Sequence, residues 1–563
     1  MIVPVFWKSY HQETPNRGYW DMGIIEHIFS KEIWNPVGDY EFEHHDDFDS
    51  VFDYGIVVIP ARYHAKDIDQ INSDLAKLRW CILILAGDEE ATFPVEKINH
   101  PRIKTYVMTP NFDRHKSVDG FLGDGWPPDA PELIKVAGLV NKSIDWFFAG
   151  QITHTRRQQC KKALVSIKKD KKYTGHLVET EKFTEGLPHQ EYYNYMASAK
   201  VAPCPSGPET PDTFRFYEAL ESGCVPIADD KTRKDDKRTN YWRKLFGDDI
   251  PFPVITDWRK LKGVMVNMID RYPAINNKIF AWWQLKKREL AYQITDDINY
   301  LAETESITDD LKDLITVLIP TSPIINHPDT SMIEETISTI RERLPNSEII
   351  LMIDGVRDEQ KKFKSQYDEY VRRLLWGTNF VWHNVVPLFF EEHKHQAAMT
   401  REALKLARTP TIMFVEHDAP LCQEIPFKNL IETVRSGEAN MIRLHHEALI
   451  LDVHKHMMLD KQPITIHGIP LVRTSQWSQR PHVASTEFYR QMIDKYFEAG
   501  DKTMIEDIVH SPLMESYKIL GKAGWNNWKV WIYAPEGDMK RSYHTDGRGA
   551  EPKYKMFVKG KMI

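Results

Sequence analysis

Two short stretches of the chain place charged side chains at spacings that suit the binding of phosphate groups. In PETPDTFRFYEALESGCVPIADD (residues 208–230), Arg215 and Glu218 lie one helical turn apart. In TIMFVEHDAPL (residues 411–421), Glu416 and Asp418 flank a histidine directly after a run of apolar residues. An arginine can bind a diphosphate through two parallel hydrogen bonds, and carboxylates can hold Mg²⁺ or Mn²⁺ beside one.

The first stretch predicts a short helix that begins near Thr210 and ends at Gly223. Thr210 suits the N-cap, Pro211 suits the first helical position, and a glycine commonly ends a helix. The apolar residues share one face, which leaves Arg215 and Glu218 together near the N-terminus, where backbone N–H groups favour an anion. The alternative is an exposed salt bridge between the two, which would contribute only a few tenths of a kcal/mol.

The sequence around this helix resembles the exostosin-like glycosyltransferases, a GT-B group. DWFFAGQITHTRR matches their F-x-G strand with following arginines, and the stretch from EYYNYMASAK to GCVPIADD matches their R..EA...G..P motif. The resemblance implies that Arg215 contacts the diphosphate of a nucleotide-sugar donor and that Glu218 contacts its ribose. It also implies donor contacts at the phosphate side and in the donor loop, from Gly150, Arg156, Arg157, Ser206 and Gly207.

Enzymes of the GT-B group usually need no metal, and their catalytic base usually comes from the first of two lobes. No cofactor is therefore expected for this part of the chain. Asp21 is the predicted base, with His11 and Glu26 as further candidates, because the loop after the first strand faces the cleft.

The second stretch resembles the acidic metal-binding motif of the GT-A glycosyltransferases, in which Glu416 replaces the usual first aspartate. The apolar strands in this region end abruptly in polar residues, which puts these residues at the ligand-binding edge of a sheet. The resemblance implies a Mg²⁺ or Mn²⁺ held by Glu416, Asp418 and a late histidine, His544 or His510. It also implies donor contacts from Pro320, Thr321, Ser322 and Asp354.

The sequence after this motif supplies candidates for the acceptor side. MIEDIVH resembles the ED segment of the GT-A family and makes Glu506 or Asp507 the predicted general base. The loop TSQWSQRPHVAS is of the kind that receives an acceptor, and its candidate residues are Trp477, Arg480 and His482.

The elements that would position these residues alternate between apolar strands and amphipathic helices, which predicts an α/β protein with parallel sheets. Two such series suggest a GT-B-like pair of Rossmann-like lobes, and a restart of the pattern suggests a GT-A-like mixed α/β domain. The predicted divisions are a first lobe (1–135, acceptor side), a second lobe (136–300, donor side), a connector (301–312) and a third domain (313–563) with a basic tail.

Composition limits the class of protein. The 563 residues exceed one ordinary core, and a net charge of −8 argues against a generally basic surface but not against a local basic groove. Five scattered cysteines without a C-x-x-C pair exclude a cysteine-built zinc site and fit a reducing compartment. The N-terminus reads as a first strand, and no apolar run reaches the roughly 20 residues that span a bilayer. We therefore expect a cytoplasmic protein without membrane insertion, in the host cytoplasm if phage-encoded.

The expected function is a glycosyltransferase with two donor-type folds, which suggests two sequential sugar transfers, of hexose or pentose, to acceptor hydroxyls. The acceptor is expected to be a glycan or hydroxymethylated phage-type DNA, whose phosphates the Lys/Arg-rich tail from Lys540 could follow. A merely solvated tail is the alternative for that segment. For the whole chain, one half could be catalytic and the other an acceptor-binding module, or neither half could catalyse transfer.

Overall fold

The chain forms two compact units, Met1–Ser306 and Ile307–Ile563. The computed structural model describes residues 1–10, 25, 40–46, 48, 51–181, 186–233, 237–303, 311–545, 557–558 and 561–562. No helix in these ranges is both long and apolar enough to cross a bilayer.

The first unit begins with a six-stranded parallel sheet in the order β2-β1-β3-β4-β5-β6. Its central strands are apolar throughout because both faces are covered, as parallel sheets require. The strands are β1 (Ile2–Trp7), β2 (Glu41–His45), β3 (Tyr54–Pro60), β4 (Trp80–Ala86), β5 (Ile103–Met108) and β6 (Gly120–Leu122). The helices are α1 (Ile68–Leu75) and α2 (Ala130–Ala137), with 3₁₀ turns at Ala61–Tyr63 and Val95–Lys97.

A second parallel sheet in the same unit has the order β11-β10-β9-β7-β8. Its strands are β7 (Ile144–Gln151), β8 (Gly175–Thr180), β9 (Ala199–Cys204), β10 (Val225–Asp229) and β11 (Val254–Ile255). The helices are α3 (Thr155–Lys168), α4 (His189–Ser198), α5 (Phe214–Glu221), α6 (Tyr241–Phe246), α7 (Leu261–Asp270) and α8 (Ala274–Ala302), with a 3₁₀ turn at Trp258–Lys260.

The helix that carries Arg215 starts later than the sequence predicts. Its N-cap is Thr213, and Thr210 and Pro211 belong to the preceding loop. A contact distant in sequence holds this loop in place: Asp212 accepts a hydrogen bond from the Tyr241 hydroxyl at 2.6 Å. Long-range tertiary contacts therefore override the local capping signal.

The second unit contains a nine-stranded mixed sheet in the order β14-β13-β12-β15-β19-β16-β20-β18-β17. The first four strands are parallel, and β19 runs antiparallel to β15. The strands are β12 (Ile315–Thr321), β13 (Ile349–Ile353), β14 (Val385–Phe389), β15 (Thr411–Phe414), β16 (Met441–Arg443), β17 (Ile464–Ile466), β18 (Ile469–Arg473), β19 (His482–Ser485) and β20 (Val530–Tyr533). A small hairpin pairs β21 (Phe557–Val558) with β22 (Lys561–Met562).

Helices cover this sheet, and a cluster of its buried apolar residues includes Phe414, Trp477 and Tyr489. The helices are α9 (Leu311–Leu314), α10 (Ser331–Arg341), α11 (Lys364–Phe380), α12 (His395–Leu406), α13 (Phe427–Arg435), α14 (Thr486–Tyr496), α15 (Ile505–Leu520) and α16 (Lys522–Asn526), with 3₁₀ turns at Asp358–Phe363 and Asp452–Met457. The predicted α/β class, with two Rossmann-like parallel sheets followed by a mixed sheet, is confirmed.

Candidate functional site

Arg215 reaches from α5 to the carboxyl end of β7. Its guanidinium lies over the Phe148 ring, 4.4 Å from the centroid, and its Nη2 donates to the carbonyl oxygen of Ala149. Its Nε and Nη1 atoms are buried and have no hydrogen-bond acceptor among the described residues. A Cβ at Gly150 would lie 2.3 Å from Nη2, so only glycine leaves room for this arginine. The site therefore presents buried N–H groups that an anion can satisfy.

Glu218 lies one turn after Arg215 and is held by two tyrosines of α4. The hydroxyls of Tyr192 and Tyr193 donate to its two carboxylate oxygens at 2.5 and 3.0 Å. Burial raises the pKa of Glu218, an effect partly offset by these hydrogen bonds and by Arg215. The tyrosines fix the orientation of the carboxylate, and nothing in the predicted motif pointed to them.

Arg215 and Glu218 line one cavity of about 190 Å³. Arg157 also lines it, and burial together with the nearby Arg215 lowers the Arg157 pKa to about 10. Two guanidinium groups that destabilise each other in this way favour a bound anion. The structure thus brings together Gly150, Arg157, Arg215 and Glu218, all four of which the sequence predicts at the donor site.

Arg156 has a different role from the predicted donor contact. Its guanidinium forms a buried two-point ion pair with Asp229 at the end of β10, with Nε 3.0 Å from Oδ2. Arg156 does not line the cavity. Its side chain instead links α3 to the end of β10 through Asp229. Ser206 is also fully buried, whereas Gly207 lines a neighbouring cavity. Asp21, His11 and Glu26 lie outside the described residues.

The two buried carboxylates of α5 allow a test that separates binding from folding. Burial raises the pKa of Glu218 in the folded state above its value in the unfolded state. The folded protein therefore loses stability as pH rises from the unfolded-state pKa to the folded-state pKa, and this loss persists at higher pH. We predict that Glu218→Gln keeps or raises the melting temperature at pH 7.5 and weakens nucleotide binding at least about tenfold. Differential scanning fluorimetry and isothermal titration calorimetry measure the two effects.

Glu221, three residues later on α5, provides the matched control. It accepts hydrogen bonds from Lys287 Nζ at 2.6 Å and Trp283 Nε1 at 2.5 Å. Glu221→Gln leaves a buried ammonium without its counter-charge and is expected to destabilise the fold by about 3 kcal/mol or more. A lower melting temperature for Glu218→Gln than for Glu221→Gln would contradict this division of roles.

The second unit gathers its predicted residues at the carboxyl ends of three adjacent strands, β13, β12 and β15. Pro320, Thr321 and Asp354 line a cavity of about 200 Å³ together with Glu416 and Asp418. Asp354 accepts backbone hydrogen bonds from Lys394 and His395 at 2.7 and 3.1 Å. It therefore organises the cavity wall as well as lining it.

Glu416, Asp418 and His544 form a cluster whose ligand atoms all lie within 4.8 Å of one another. The chain beside His544 is tied to this edge, because Thr545 N donates to the Asp418 carbonyl oxygen at 2.9 Å. Two carboxylates and one imidazole form a ligand set that fits Mg²⁺ or Mn²⁺. Among the described residues, His510 is not part of this cluster.

A second cavity of the unit, about 310 Å³, is lined by Glu506 and Arg480 and shares Glu416 and Met504 with the first. Glu506 lies in the first turn of α15 and accepts a hydrogen bond from Gln479 N at 2.9 Å. Asp507 is exposed and does not line the cavity. Glu506 is therefore the better placed of the two predicted bases.

Trp477 and His482 do not serve as acceptor contacts, contrary to the prediction. Both are fully buried, and the His482 ring stacks on Phe414 with centroids 5.5 Å apart. His482 begins β19 and Trp477 precedes that strand, and both rings pack against buried Tyr489, which explains the correction. Of the three predicted acceptor residues, Arg480 lines the cavity, where its Nη2 donates to Glu447 at 2.7 Å. Gln476, Ser478 and Gln479 of the same loop line it as well.

Buried Arg443 also lines this cavity, and the sequence prediction missed it. Burial and the neighbouring Arg480 lower its pKa to about 9, and its Nε atom has no acceptor among the described residues. Its position at the end of a short strand, preceded by apolar residues, is the signal that could have found it.

One family model matches the region that carries the first cluster. Residues 146–300 match the family described as the RXYLT1 C-terminal domain. No curated protein sequence matches the chain.

Solved structures of S. aureus TarS show weak similarity. One covers 41% of this chain and 36% of TarS at 12% identity, with a TM-score of 0.26. The TarS 1–349 structures with UDP and with UDP-GlcNAc have 13% and 14% identity, cover 41% and 43% of this chain and 60% of that chain, and have TM-scores of 0.26. The chain thus spans less than two thirds of the length of each.

Proposed function

We propose that the chain is a glycosyltransferase with two nucleotide-sugar sites, one in each unit. The observation that carries the proposal is the pair of strand-end cavities, one lined by buried guanidinium groups and the other by a carboxylate–histidine cluster. The family match over residues 146–300 supports glycosyltransferase activity in the first unit. Whether hexose or pentose is transferred is left to experiment.

In the first unit, Arg215 and Arg157 bind the donor diphosphate and Glu218 accepts hydrogen bonds from the ribose hydroxyls. When the glycosidic bond to phosphate breaks, negative charge accumulates on the leaving nucleoside diphosphate. Guanidinium groups already buried in place stabilise that charge more than water does. This half needs no metal.

In the second unit, Glu416, Asp418 and His544 would hold Mg²⁺ or Mn²⁺. The cation, when bound, neutralises the departing diphosphate as a Lewis acid. Pro320, Thr321 and Asp354 form the wall against which the nucleoside lies. Glu506, in the adjoining cavity, accepts the proton of the acceptor hydroxyl.

The test is mass spectrometry of products from a panel of UDP- and GDP-linked hexoses and pentoses, with glycans and hydroxymethylated DNA as acceptors. Transfer of a sugar from at least one donor supports the proposal. A chain that binds neither UDP nor GDP, with or without Mn²⁺, contradicts it. Two sugar masses added in sequence to one acceptor would support two transfers. Addition of a single sugar would support the alternative in which one unit catalyses transfer and the other only positions the acceptor.

Salt dependence separates the two acceptor classes. If two phosphates of DNA are neutralised on binding, raising salt from about 50 to about 200 mM lowers affinity roughly tenfold. We expect transfer to hydroxymethylated DNA to fall accordingly at subsaturating DNA, and transfer to an uncharged oligosaccharide to stay nearly constant. Initial rates at fixed donor concentration measure both, with a flat salt response on DNA counting against a phosphate-binding acceptor site.

A further inference from the structure

The first unit has another cavity, of about 290 Å³, that no step above uses. It lies where the strands of both parallel sheets end, and β3, β4 and β5 contribute one wall while the loops after β7 and β9 contribute the other. Gln151, Arg157, Thr213 and Phe214 line this cavity and also the cavity of Arg215 and Glu218. A molecule bound in one cavity therefore adjoins a molecule bound in the other.

The first sheet presents two carboxylates to this cavity, that of Asp124 after β6 and that of Glu89. Glu89 follows the end of β4. Its ion-pair contact with Arg62 is long, with 3.9 Å between Oε1 of Glu89 and Nη1 of Arg62. Its neighbours in sequence are engaged elsewhere. Asp88 accepts hydrogen bonds from Thr92 at 2.8 and 2.9 Å. Glu90 does not line the cavity and pairs at 3.1 Å with Arg62, which does.

The opposite wall contributes the carboxylate of Asp212, which is held by hydrogen bonds within the protein. Asp212 accepts a hydrogen bond from the Tyr241 hydroxyl at 2.6 Å and from the backbone N–H of Asp124 at 3.2 Å. Among the residues that the structure describes, no side chain donates a comparable hydrogen bond to Glu89, which therefore differs from Asp212.

The same wall contains a strained backbone position. Thr109, at the end of β5, has a φ of 50° and lines the cavity. A β-branched residue rarely adopts this conformation, and such strain persists where the surrounding structure imposes it, often at functional sites. This observation is independent of Glu89 and indicates a shaped binding wall.

We propose that this cavity binds the acceptor of the first unit and that Glu89 is its catalytic base. The Glu89 carboxylate takes the proton of an acceptor hydroxyl while that oxygen forms a bond to the anomeric carbon of the donor sugar. The bond from that carbon to the phosphate oxygen breaks, and its electron pair leaves with the nucleoside diphosphate held by Arg215 and Arg157. Attack from the side opposite the diphosphate inverts the anomeric configuration. The inference rests on the proposed donor site.

The surroundings of Glu89 set the pH range in which it can act. Burial raises its pKa above the ordinary value, Arg62 and the backbone of Glu209 lower it, and the carboxylates of Glu209 and Asp212 raise it. Arg157 faces it from the second sheet. Because only the deprotonated form accepts a proton, turnover should rise with pH through this raised pKa and then level off.

The experiment uses the full chain in EDTA, which silences the proposed metal site of the second unit. The probes are UDP and GDP for binding, and for turnover the sugar nucleotide of the panel that the wild type consumes fastest. Glu89→Gln is expected to keep nucleotide affinity, to lose about 100-fold or more in turnover, and to lose the acidic limb of the pH profile. Glu89→Asp should retain intermediate turnover and the limb, and the wild-type product should be inverted.

Glu96→Gln is the control, because Glu96 is exposed in the turn Val95–Lys97 and does not line the cavity, and this variant should behave as wild type. Any one of three results would overturn the assignment of Glu89. These are wild-type turnover in folded Glu89→Gln, an unchanged acidic limb in that variant, and a product of retained configuration. Failure of the wild type to bind UDP or GDP in EDTA would instead overturn the donor site itself. A change in melting temperature for both Glu89 variants without any loss of turnover would show a structural role only.

Discussion

Asp418→Asn is expected to abolish the divalent-dependent sugar transfer of the second unit while leaving the metal-independent activity of the first. Asparagine keeps the size of the side chain but removes one of two negative charges from the cluster with Glu416 and His544. Loss of a Lewis acid at the leaving group corresponds to several kcal/mol, or about 10³-fold in rate. Initial rates with Mn²⁺ minus rates in EDTA isolate this activity.

A binding measurement shows whether the loss comes from the metal. Titration of Mn²⁺ in the presence of UDP, followed by electron paramagnetic resonance of the free ion, should show strong weakening for Asp418→Asn and His544→Ala. His510→Ala is the matched histidine control, because His510 lies outside the described cluster. Wild-type Mn²⁺ affinity in both Asp418→Asn and His544→Ala would contradict the metal site.

Arg215→Ala is expected to remove nucleotide binding and sugar transfer by the first unit with the fold intact. The substitution deletes the two buried N–H-bearing atoms that lack an acceptor, and with them the charge-assisted hydrogen bonds to a diphosphate. With two such bonds at about 1.5–3 kcal/mol each, affinity should fall by about 10²- to 10⁴-fold. Calorimetric titration of UDP and GDP in EDTA measures this site alone.

Two further variants test whether geometry or charge matters. Arg215→Lys keeps the charge but loses the planar fork, so we expect partial loss. Arg259→Ala, on the surface beside Asp257, should leave binding unchanged. Arg156→Ala should instead lower the melting temperature, because it leaves buried Asp229 without its partner. Normal nucleotide affinity in folded Arg215→Ala would refute the role assigned to Arg215.

Local patterns in the sequence were sufficient to predict the strands and helices and to predict the site residues that lie close to a motif. The alternation of apolar strands and helices predicted the α/β class, and the helical spacing placed Arg215 and Glu218 on one cavity. Carboxylates directly after apolar strands predicted the edge where Glu416 and Asp418 meet. Strand ends converge in parallel sheets, so this information is carried by short-range sequence.

Long-range packing decided the rest. Tyr192 and Tyr193 reach Glu218 from another helix, and no spacing rule relates them. Trp477 and His482 looked suited to an acceptor loop by residue type, yet both side chains are fully buried, Trp477 before β19 and His482 at its start. Glu89 sits in an acidic run, AGDEE, where sequence alone cannot tell which carboxylate faces a cavity.

The backbone hydrogen bond from Thr545 to Asp418 has a consequence for protein synthesis. Because this bond joins Asp418 to a segment translated much later, the cluster of Glu416, Asp418 and His544 in the second unit cannot assemble until the ribosome has passed residue 545. A nonsense codon or a protease cut anywhere between the two would silence that unit, however well its earlier strands had already assembled. Arg215 and Glu218, by contrast, would already have been made.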